Sequence, residues 1–501
     1  MSLAKINTRA EEGLQAPKVK VEVHLSNGLP SFLIVGLPET AVKESRERVR
    51  SALINSNFNF HNRRITVSLA PANLPKSGGR YDLPIALGIL IASKQIKVNI
   101  DIDNYEFYGE LGLDGTLRDV GGLLPAAINA TKNKKLLVMP KKDAEQVALV
   151  KDVNVYGLKH LINVYELIQG VEKPQIIAKL KDLAPNYDKD LNEVKGQYNG
   201  KRALEIAAAG GHNLLFIGAP GAGKTMLAER MPTILPNLSE DESLEKATIF
   251  SVAGMYVDIN KFYQRPFRSP HHTSSSVALV GGGTYPKPGE ISLAHNGVLF
   301  LDEFVEFPRN VLEVLRQPLE NGIIHISRAA KQTTYPADFQ LIAAMNPCPC
   351  GHYGSSSGKC NCSEDKIYRY RSKISGPILD RIDMLLEIQP LDKKTLLDNT
   401  NDNNESSVSI KKRVIKAYKA QINRQNKLNY KLTSKEVSKN NYLNSESKEI
   451  LEKAIIQLKL SARSYYRILK VARTIADLAI SQNIEKQHII EAISYRRVKF
   501  E

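Results

Sequence analysis

The sequence lacks tryptophan, contains only four cysteines among its 501 residues and has no long apolar run. Its longest apolar stretch, Leu83 to Ala92, is about half the length that a bilayer requires. The N-terminus also lacks the charged and then apolar segments of an export signal. We therefore expect a cytoplasmic protein with no membrane partner. A chain of this length is expected to form about three domains.

Acidic residues are in the minority, with 53 Asp and Glu against 69 Lys and Arg, giving a formal net charge of +16. The excess is concentrated at one end, because residues 411–501 hold 21 Lys and Arg but only 8 Asp and Glu. A basic surface of this kind favours a polyanion such as nucleic acid. It is equally typical of an ordinary solvated helical face. Charge alone therefore does not identify the partner.

A glycine-rich loop follows the apolar segment Asn213 to Ile217 and fits the G-x-x-x-x-G-K-[ST] pattern at every fixed position. Glycines in such a loop let backbone amides approach phosphate oxygens. Lys224 can reach the β- and γ-phosphates, and the Thr225 hydroxyl can bind Mg²⁺. We predict that ATP and Mg²⁺ are held by Gly218, Ala219, Pro220, Gly221, Ala222, Gly223, Lys224 and Thr225.

Two acidic residues, Asp302 and Glu303, come directly after the apolar segment Val298 to Leu301. A carboxylate at a strand end can hold the Mg²⁺ shell, and its neighbour can orient or deprotonate the attacking water. Standing alone, such a pair could simply cap the next helix. Downstream of a phosphate-binding loop, it predicts ATP hydrolysis as well as ATP binding.

All four cysteines fall within fifteen residues, as Cys348, Cys350, Cys360 and Cys362. In a reducing compartment, two C-x-C pairs suit a tetrahedral thiolate site for Zn²⁺ better than disulfides. Free or redox-active thiols are the alternative, because C-x-C is tighter than the common C-x₂-C spacing. The position next to the phosphate-binding domain favours a structural rather than a catalytic metal.

Residues 1–170 alternate short β-like and helical segments, which predicts an α/β domain. The predicted strands are Val21 to Leu25, Phe32 to Val35, Arg64 to Leu69 and Leu136 to Met139. The predicted helices are Thr40 to Ile54, Asp82 to Ser93 and Leu123 to Thr131.

The remaining chain divides at two polar stretches. Residues 171–198 are predicted to link the first domain to an ATPase core at 199–395, which carries the cysteine-rich insert 348–362. Residues 396–410 form an Asn- and Asp-rich hinge. Residues 411–501 are expected to be almost wholly helical.

Several segments beyond the phosphate-binding loop carry a family resemblance. They are Arg268 to Thr273, Gly289 to Gly297, Ala343 to Asn346, Gly376 to Asp383 and, near the N-terminus, Leu74 to Leu83. With them the chain resembles the magnesium-chelatase-like AAA+ ATPases and, more narrowly, their YifB/ComM competence branch. The resemblance implies an α/β multidomain fold with a Lon-protease-like N-terminal domain, an AAA+ P-loop core and a helical C-terminal lid.

The resemblance also implies roles for residues outside the loop. Asn346 matches the sensor position that helps to hold the attacking water, and Gln197 is a further nucleotide-binding candidate. Arg381 matches an arginine finger presented to the ATP of a neighbouring subunit. Arg463 matches the second sensor arginine, with Arg467 as the alternative. A surface salt bridge is the competing interpretation for each arginine.

Two loops resemble the pore-facing insertions of the family, one at Gly281 to Gly289 and a hairpin at Ile324 to Tyr335. Lys287, Arg328 and Lys331 are therefore candidates to grip a DNA backbone, although solvated loop tips are an equal alternative. The neighbouring His271 and His272 are expected to be core or interface residues rather than metal ligands, because no carboxylate or cysteine stands beside them at ligand spacing.

The N-terminal domain departs from the Lon protease pattern at the catalytic positions. The resemblance places Arg80 where the serine nucleophile should be and Leu124 where its lysine should be. Neither side chain can perform that chemistry, so we expect no peptidase activity. A displaced nucleophile at Ser77 is the alternative, but no partner lysine is identified for it.

Together, these features predict an ATP-driven homo-oligomeric ring, a hexamer by resemblance, that acts on DNA. The resemblance implies a helicase that promotes branch migration in natural transformation. Two alternatives are a motor subunit for metal insertion into porphyrin and an ATP-dependent protein remodeller. Tyr285 in the first loop favours a polypeptide substrate, whereas the Gly, Lys and Arg content of both loops favours DNA.

Overall fold

The computed structural model describes residues 3–171, 176, 185–283, 286–328, 331–354, 360–391, 404–440, 443, 445–457 and 461–496. The chain folds into two compact units. The N-terminal unit comprises Met1–Ala184 with Ser243–Phe262, and the P-loop unit comprises Pro185–Glu242 with Tyr263–Glu501. This division differs from the predicted one, because residues 243–262 leave the ATPase core and the C-terminal helices join it.

Some predicted features lie outside the described residues. These are residues 172–175 and 177–184 of the linker, Tyr285, residues 355–359 of the cysteine-rich insert and residues 396–403 of the hinge. The side chains of Arg328 and Lys331 are also outside the description.

The N-terminal unit is built on a four-stranded sheet of order β1-β2-β4-β3 and a parallel three-stranded sheet of order β5-β8-β9, with a small β6-β7 pair. Its strands are β1 (Leu3–Arg9), β2 (Lys18–Ser26), β3 (Ser31–Val35), β4 (Arg64–Ala70), β5 (Tyr105–Phe107), β6 (Glu110–Leu111), β7 (Leu117–Arg118), β8 (Leu136–Pro140) and β9 (Asn154–Leu158). Its helices are α1 (Thr40–Lys43), α2 (Ser45–Asn55), α3 (Asp82–Ala92), α4 (Leu124–Lys132), α5 (Lys141–Val147) and α6 (Leu161–Gln169).

The sequence pattern explains these elements. Every second residue of β2 and β4 is buried, so one face of the sheet forms a core. The nearly all-apolar helix α3 packs on that face and is buried along almost its whole length. The four predicted strands and the helices near residues 82 and 124 are confirmed. The helix predicted from Thr40 to Ile54 is instead two helices, interrupted at Glu44.

The P-loop unit contains a five-stranded parallel sheet of order β11-β14-β17-β10-β18 and two small hairpins. Its strands are β10 (Leu214–Gly218), β11 (Phe267–Arg268), β12 (Gly281–Gly282), β13 (Lys287–Pro288), β14 (Val298–Leu301), β15 (Ile323–Arg328), β16 (Lys331–Pro336), β17 (Gln340–Met345) and β18 (Met384–Ile388). Strands β10, β14 and β17 are buried on both faces, which is why their sequences are continuous apolar runs.

Helices surround this sheet, and short 3₁₀ turns connect several elements. The helices of this unit up to the sheet's last strand are α7 (Tyr198–Gly210), α8 (Lys224–Ala228), α9 (Met231–Ile234), α11 (Ser276–Val280), α12 (Glu290–Leu293), α13 (Arg309–Glu313), α14 (Arg316–Asn321), α15 (Glu364–Arg371) and α16 (Gly376–Leu379). The helix between α9 and α11, α10 (Glu240–Val252), belongs mostly to the N-terminal unit. The C-terminal helices are α17 (Ser407–Gln425), α18 (Ser434–Asn440), α19 (Ser445–Gln457), α20 (Ala462–Leu478) and α21 (Lys486–Ser494).

The C-terminal helices share one hydrophobic core with the sheet. Buried Val414 of α17, Ile475 of α20 and Ile489 of α21 belong to the same cluster as Leu214 of β10 and Ala207 of α7. The predicted helical character of this region is confirmed for its described residues. In the part of the chain that the structure describes, every helix is too short or too polar to span a bilayer.

Gly88 provides a test of the packing in the N-terminal unit. A Cβ at this position would lie 2.4 Å from Val23 Cγ2, so α3 packs directly on β2. We expect Gly88→Ala to destabilise this unit by about 1–3 kcal/mol, because the core has no room for the methyl group. Hydrogen exchange of the α3 amides measures the effect. Gly376→Ala is the control, since a Cβ there has no neighbour within 4 Å; equal protection in both variants would contradict the packing.

Candidate nucleotide site

The phosphate-binding loop connects the buried end of β10 to the start of α8. Gly221 and Gly223 have φ values of +76° and +91°, which only glycine adopts without strain. A Cβ at either position would meet nothing within 4 Å, so these two glycines are required by the turn. Glycine is required at position 218 for a different reason, because a Cβ there would lie 2.4 Å from the Ile388 carbonyl oxygen. It permits close pairing of β10 with β18, a role that the sequence pattern alone does not indicate.

Lys224 connects the loop to the neighbouring strand. Its Nζ donates hydrogen bonds to the carbonyl oxygens of Gly218 (2.5 Å) and Ala219 (3.0 Å) and to Asn346 Oδ1 (3.1 Å). Burial lowers the pKa of Lys224, although the charge of Asp302 opposes this shift. Asn346 follows β17, which pairs directly with β10. The ammonium is therefore fixed between the ends of β10 and β17, where a phosphate could accept hydrogen bonds from it.

Thr225 and Asp302 form the second part of the site. Thr225 Oγ1 donates to Asp302 Oδ2 over 2.6 Å, and the other carboxylate oxygen accepts the Glu303 amide over 2.9 Å. A hydroxyl and a carboxylate are the hard oxygen ligands that Mg²⁺ prefers. These two residues fit the predicted metal shell.

Glu303 is held by a residue that the sequence analysis did not connect with it. His272 Nδ1 lies 2.8 Å from Glu303 Oε2, and the ring of His271 stacks on His272 at 4.2 Å. Glu303 also has a left-handed backbone, with φ of +51°. The pairing follows from topology, because His272 lies shortly after β11 and β11 pairs with β14 in parallel. The sequence does not show that β11 and β14 are neighbours, so it could not predict this contact.

Gln197 holds the backbone of the phosphate-binding loop through its side-chain amide. Its Nε2 donates to the carbonyl oxygens of Ala222 (2.9 Å) and Gln389 (2.8 Å). The side chain therefore connects the phosphate-binding loop to the residue that follows β18. This contact is with the loop backbone, so the structure places Gln197 as a support of the nucleotide-binding candidates.

The four cysteine thiols converge. Their sulfur atoms all lie within 4.8 Å of one another. Cys348 is 3.3 Å from Cys350 and 3.8 Å from Cys360, and Cys350 is 3.6 Å from Cys360. Tetrahedral Zn²⁺ with Zn–S bonds of about 2.3 Å places its sulfur ligands about 3.8 Å apart. The donor set and its spacing therefore fit zinc.

The pKa shifts within the cluster are divided, because the pKa of Cys350 is lowered whereas the neighbouring thiols raise the pKa of Cys360 to about 11 and also raise the pKa of Cys362. The backbone amide of His352 and the Cys348 thiol stabilise the Cys350 thiolate and lower its pKa to about 6. The Tyr353 amide also lies 3.3 Å from Cys348 Sγ. A thiolate is the form in which cysteine binds a metal.

Arg381 and Arg463 lie elsewhere, in a basic cavity of about 660 Å³. Its cationic lining is Arg381, Lys427, Lys431, Arg463, Arg467 and Lys470. Arg381 is paired with Glu320, whereas Arg463 and Arg467 lie 3.7 Å from Asp380 and 3.5 Å from Asp383. Both predicted sensor alternatives therefore line the same cavity as the predicted finger.

This basic cavity is at the opposite end of the sheet from the phosphate-binding loop. Its walls include Asn213, Phe339 and Asp383, which directly precede β10, β17 and β18. The loop, Asp302 and Asn346 instead follow β10, β14 and β17. Strands of this length separate the two ends by roughly 13–20 Å. Within one chain, Arg381 and Arg463 do not join the other predicted site residues.

The two predicted pore loops form hairpins, β12–β13 and β15–β16. Tyr335 Oη donates to the Pro286 carbonyl oxygen over 2.8 Å, so the hairpins contact each other near the base of β15–β16. Lys287 is exposed at the start of β13. Arg328 and Lys331 pair across the turn of the second hairpin.

The N-terminal unit carries Arg80 and Leu124, the two residues that the predicted resemblance places at the Lon catalytic positions. Arg80 is buried, and its Nη2 donates to Glu11 Oε2 over 2.7 Å. Leu124 is also buried. An ion-paired guanidinium cannot act as a nucleophile.

Three family models match successive parts of the chain. Residues 190–396 match the family described as magnesium chelatase, subunit ChlI. Residues 21–143 match subunit ChlI of Mg-chelatase, and residues 404–496 match the C-terminal region of magnesium chelatase subunit ChlI.

Full-length relatives are also similar. The chain is 50% identical over 501 residues to the competence protein ComM of Haemophilus influenzae, covering 99% of this chain and 98% of ComM. It is 49% identical over 502 residues to YifB of Salmonella typhimurium, with the same coverage of 99% and 98%. Lon protease 2 of Bacillus subtilis is 25% identical over 190 residues, which is 32% of this chain and 33% of the protease.

The parallel sheet, the phosphate-binding loop and the acidic strand end define a P-loop ATPase of the AAA+ class. The identity of about one half extends over nearly the whole chain. The protein belongs to the YifB/ComM family of magnesium-chelatase-like AAA+ ATPases.

The catalytic assignment is testable with two substitutions. Lys224→Ala is expected to abolish nucleotide binding, whereas Glu303→Gln should bind ATP and lose most turnover, because it removes only the group that activates water. Equilibrium binding of a fluorescent ATP analogue and steady-state phosphate release measure the two properties separately. Hydrolysis by Glu303→Gln at the parental rate would show that the acidic pair is misassigned.

Proposed function

We propose that the protein is an ATP-hydrolysing ring motor that moves on DNA and promotes branch migration during the integration of incoming DNA. The arrangement of Lys224, Thr225, Asp302 and Glu303 carries the ATPase part of this proposal. The similarity to a protein named for competence and the basic C-terminal region support the DNA part.

In the proposed reaction, Lys224 binds the β- and γ-phosphates, and Asn346 helps to hold the attacking water. Thr225 and Asp302 would hold Mg²⁺, which would supply positive charge beside the phosphate oxygens. Glu303 orients the water and accepts its proton. His272 lies within hydrogen-bonding distance of one oxygen of the Glu303 carboxylate and would help to position it.

The basic cavity supports assembly into a ring, a hexamer by family resemblance. Its cations lie at the strand ends remote from the chain's own phosphate-binding loop. Arg381 is nine-tenths buried, and its Nε has no hydrogen-bond partner among the described residues. A neighbouring subunit's nucleotide is a polyanion that these groups could bind. Arg381 would then act as a finger in trans, and Arg463 or Arg467 would contact the same phosphates.

The hairpins support a DNA-binding pore. Because the base of β15–β16 contacts the β12–β13 loop, Lys287 lies in a hairpin adjacent to the one that carries Arg328 and Lys331. Basic groups at such a surface can neutralise phosphates without reading base sequence.

For the N-terminal unit, we propose a Lon-protease-like fold without peptidase activity. The buried ion pair of Arg80 with Glu11 and the apolar Leu124 support this assignment. Residues 171–198 and 396–410 remain the proposed linker and hinge between the family's domains.

Action of Arg381 in trans is tested by mixing subunits. Arg381→Ala should bind ATP but hydrolyse it at least tenfold more slowly, because the transition state loses a positive charge. Mixed with Lys224→Ala subunits, it should regain part of the activity, since one variant supplies the loop and the other supplies the arginine. Phosphate release across mixing ratios, with mixed rings verified by native mass spectrometry, measures this. No recovery at any ratio would count against action in trans.

The DNA proposal is tested by the salt dependence of binding. The triple variant Lys287→Ala, Arg328→Ala, Lys331→Ala should bind forked DNA more weakly and with a shallower salt slope, because phosphate contacts are lost. Basal ATP hydrolysis should remain, while DNA-stimulated hydrolysis and junction migration should fall together.

A charge-matched control replaces three exposed lysines of the N-terminal unit, Lys97, Lys132 and Lys151, with alanine. It should retain the parental slope. Parent protein that neither binds DNA nor hydrolyses ATP faster with it would favour a protein remodeller or a porphyrin-metallation motor. Stimulation by unfolded protein or by porphyrin would then separate these alternatives.

A further inference from the structure

The cysteine cluster lies directly against the phosphate-binding loop. Gly351, which follows Cys350, has φ of +79°. A Cβ at Gly351 would come within 2.5 Å of Pro220 Cδ and 3.9 Å of Asn346 Cγ. The backbone of the cysteine loop therefore packs on two parts of the nucleotide site at once.

A second connection runs through the chain itself. Asn346 is two residues before buried Cys348 and accepts a hydrogen bond from Lys224 Nζ at 3.1 Å. The intervening Pro347 has its carbonyl oxygen held by Arg371 Nε at 3.2 Å. Cys348 is thus separated by a single residue from the side chain that contacts the phosphate-binding lysine.

The described part of the cysteine loop is held by contacts within the loop, by Arg371 over the Tyr353 ring and by the packing of Gly351 on Pro220. Its backbone turn is closed by the Gly351 amide donating to the Cys348 carbonyl oxygen over 2.9 Å. Tyr353 and Gly354 are exposed, and Cys348 contributes the loop's buried apolar surface. Metal bonds to four converging sulfurs would add to these restraints.

We propose that a thiophilic divalent metal of the Zn²⁺ type, bound by Cys348, Cys350, Cys360 and Cys362, braces Pro220 and Asn346. Metal occupancy then sets the affinity of the site for nucleotide. This inference rests on the proposed binding of ATP by the same loop, and it assigns the metal a control function beyond local folding.

Two glycine variants test the mechanical contact without touching a metal ligand. Gly351→Ala should keep about one zinc per chain but weaken ADP binding at least fivefold, because the new methyl group displaces Pro220. Gly354→Ala is the matched control, since Gly354 has a similar φ of +76° but a Cβ there meets nothing within 4 Å. It should retain both zinc and the parental affinity. Equal ADP affinities in the two variants would overturn the proposal.

Removal of the metal is the second test of this proposal. Cys360→Ser, and parent protein stripped with a chelator, should both lose zinc, bind ADP at least fivefold more weakly and show faster hydrogen exchange across residues 218–225. Returning Zn²⁺ should restore the stripped parent but not Cys360→Ser. Exchange of the α3 amides, in the other compact unit, reports whether the whole chain has unfolded.

The outcomes separate this inference from the proposed function. Parent protein without bound zinc, or zinc-free protein with the parental ADP affinity and loop exchange, overturns the inference alone. Zinc-loaded parent that binds no nucleotide overturns the proposed ATPase function. Absence of DNA stimulation leaves the metal's effect on ADP binding in place.

Discussion

Parallel pairing of β10 with β17 on one side and β18 on the other is the constraint on which the nucleotide site depends. It brings the phosphate-binding loop, Asn346 and Gln389 to one end of the sheet. The pairing in turn requires Gly218, because a side chain there would collide with the Ile388 carbonyl oxygen. A residue that the sequence pattern assigns to phosphate binding is therefore also needed for strand packing.

The same sheet separates two sets of charges. Buried Lys224 and the acidic pair occupy the carboxyl ends of the strands, whereas Arg381 and Arg467 occupy the amino ends. Desolvating a charge is costly unless it has a partner. Lys224 is compensated by carbonyl oxygens and an amide, and the arginines by Glu320 and Asp383. Each set is thus held by partners within the chain, and the two sets lie at opposite ends of the sheet.

Three supports act on the nucleotide loop from different parts of the sequence. Gln197 holds the Ala222 carbonyl, Asn346 holds Lys224, and Gly351 packs on Pro220. His272 similarly holds Glu303 from the end of a neighbouring strand. None of these four residues belongs to the loop motif, which covers only residues 218–225. Their common feature is position at the same end of the parallel sheet.

Residue types at short spacing were enough to predict the P-loop, the acidic strand end, the four-cysteine cluster and the alternation of strands and helices. The contact of His272 with Glu303, the packing of Gly351 against Pro220 and the cavity shared by Arg381, Arg463 and Arg467 became visible in the folded chain. The folded chain also places residues 243–262 in the N-terminal unit. These contacts depend on strand order and on packing between distant segments, which local sequence patterns do not encode.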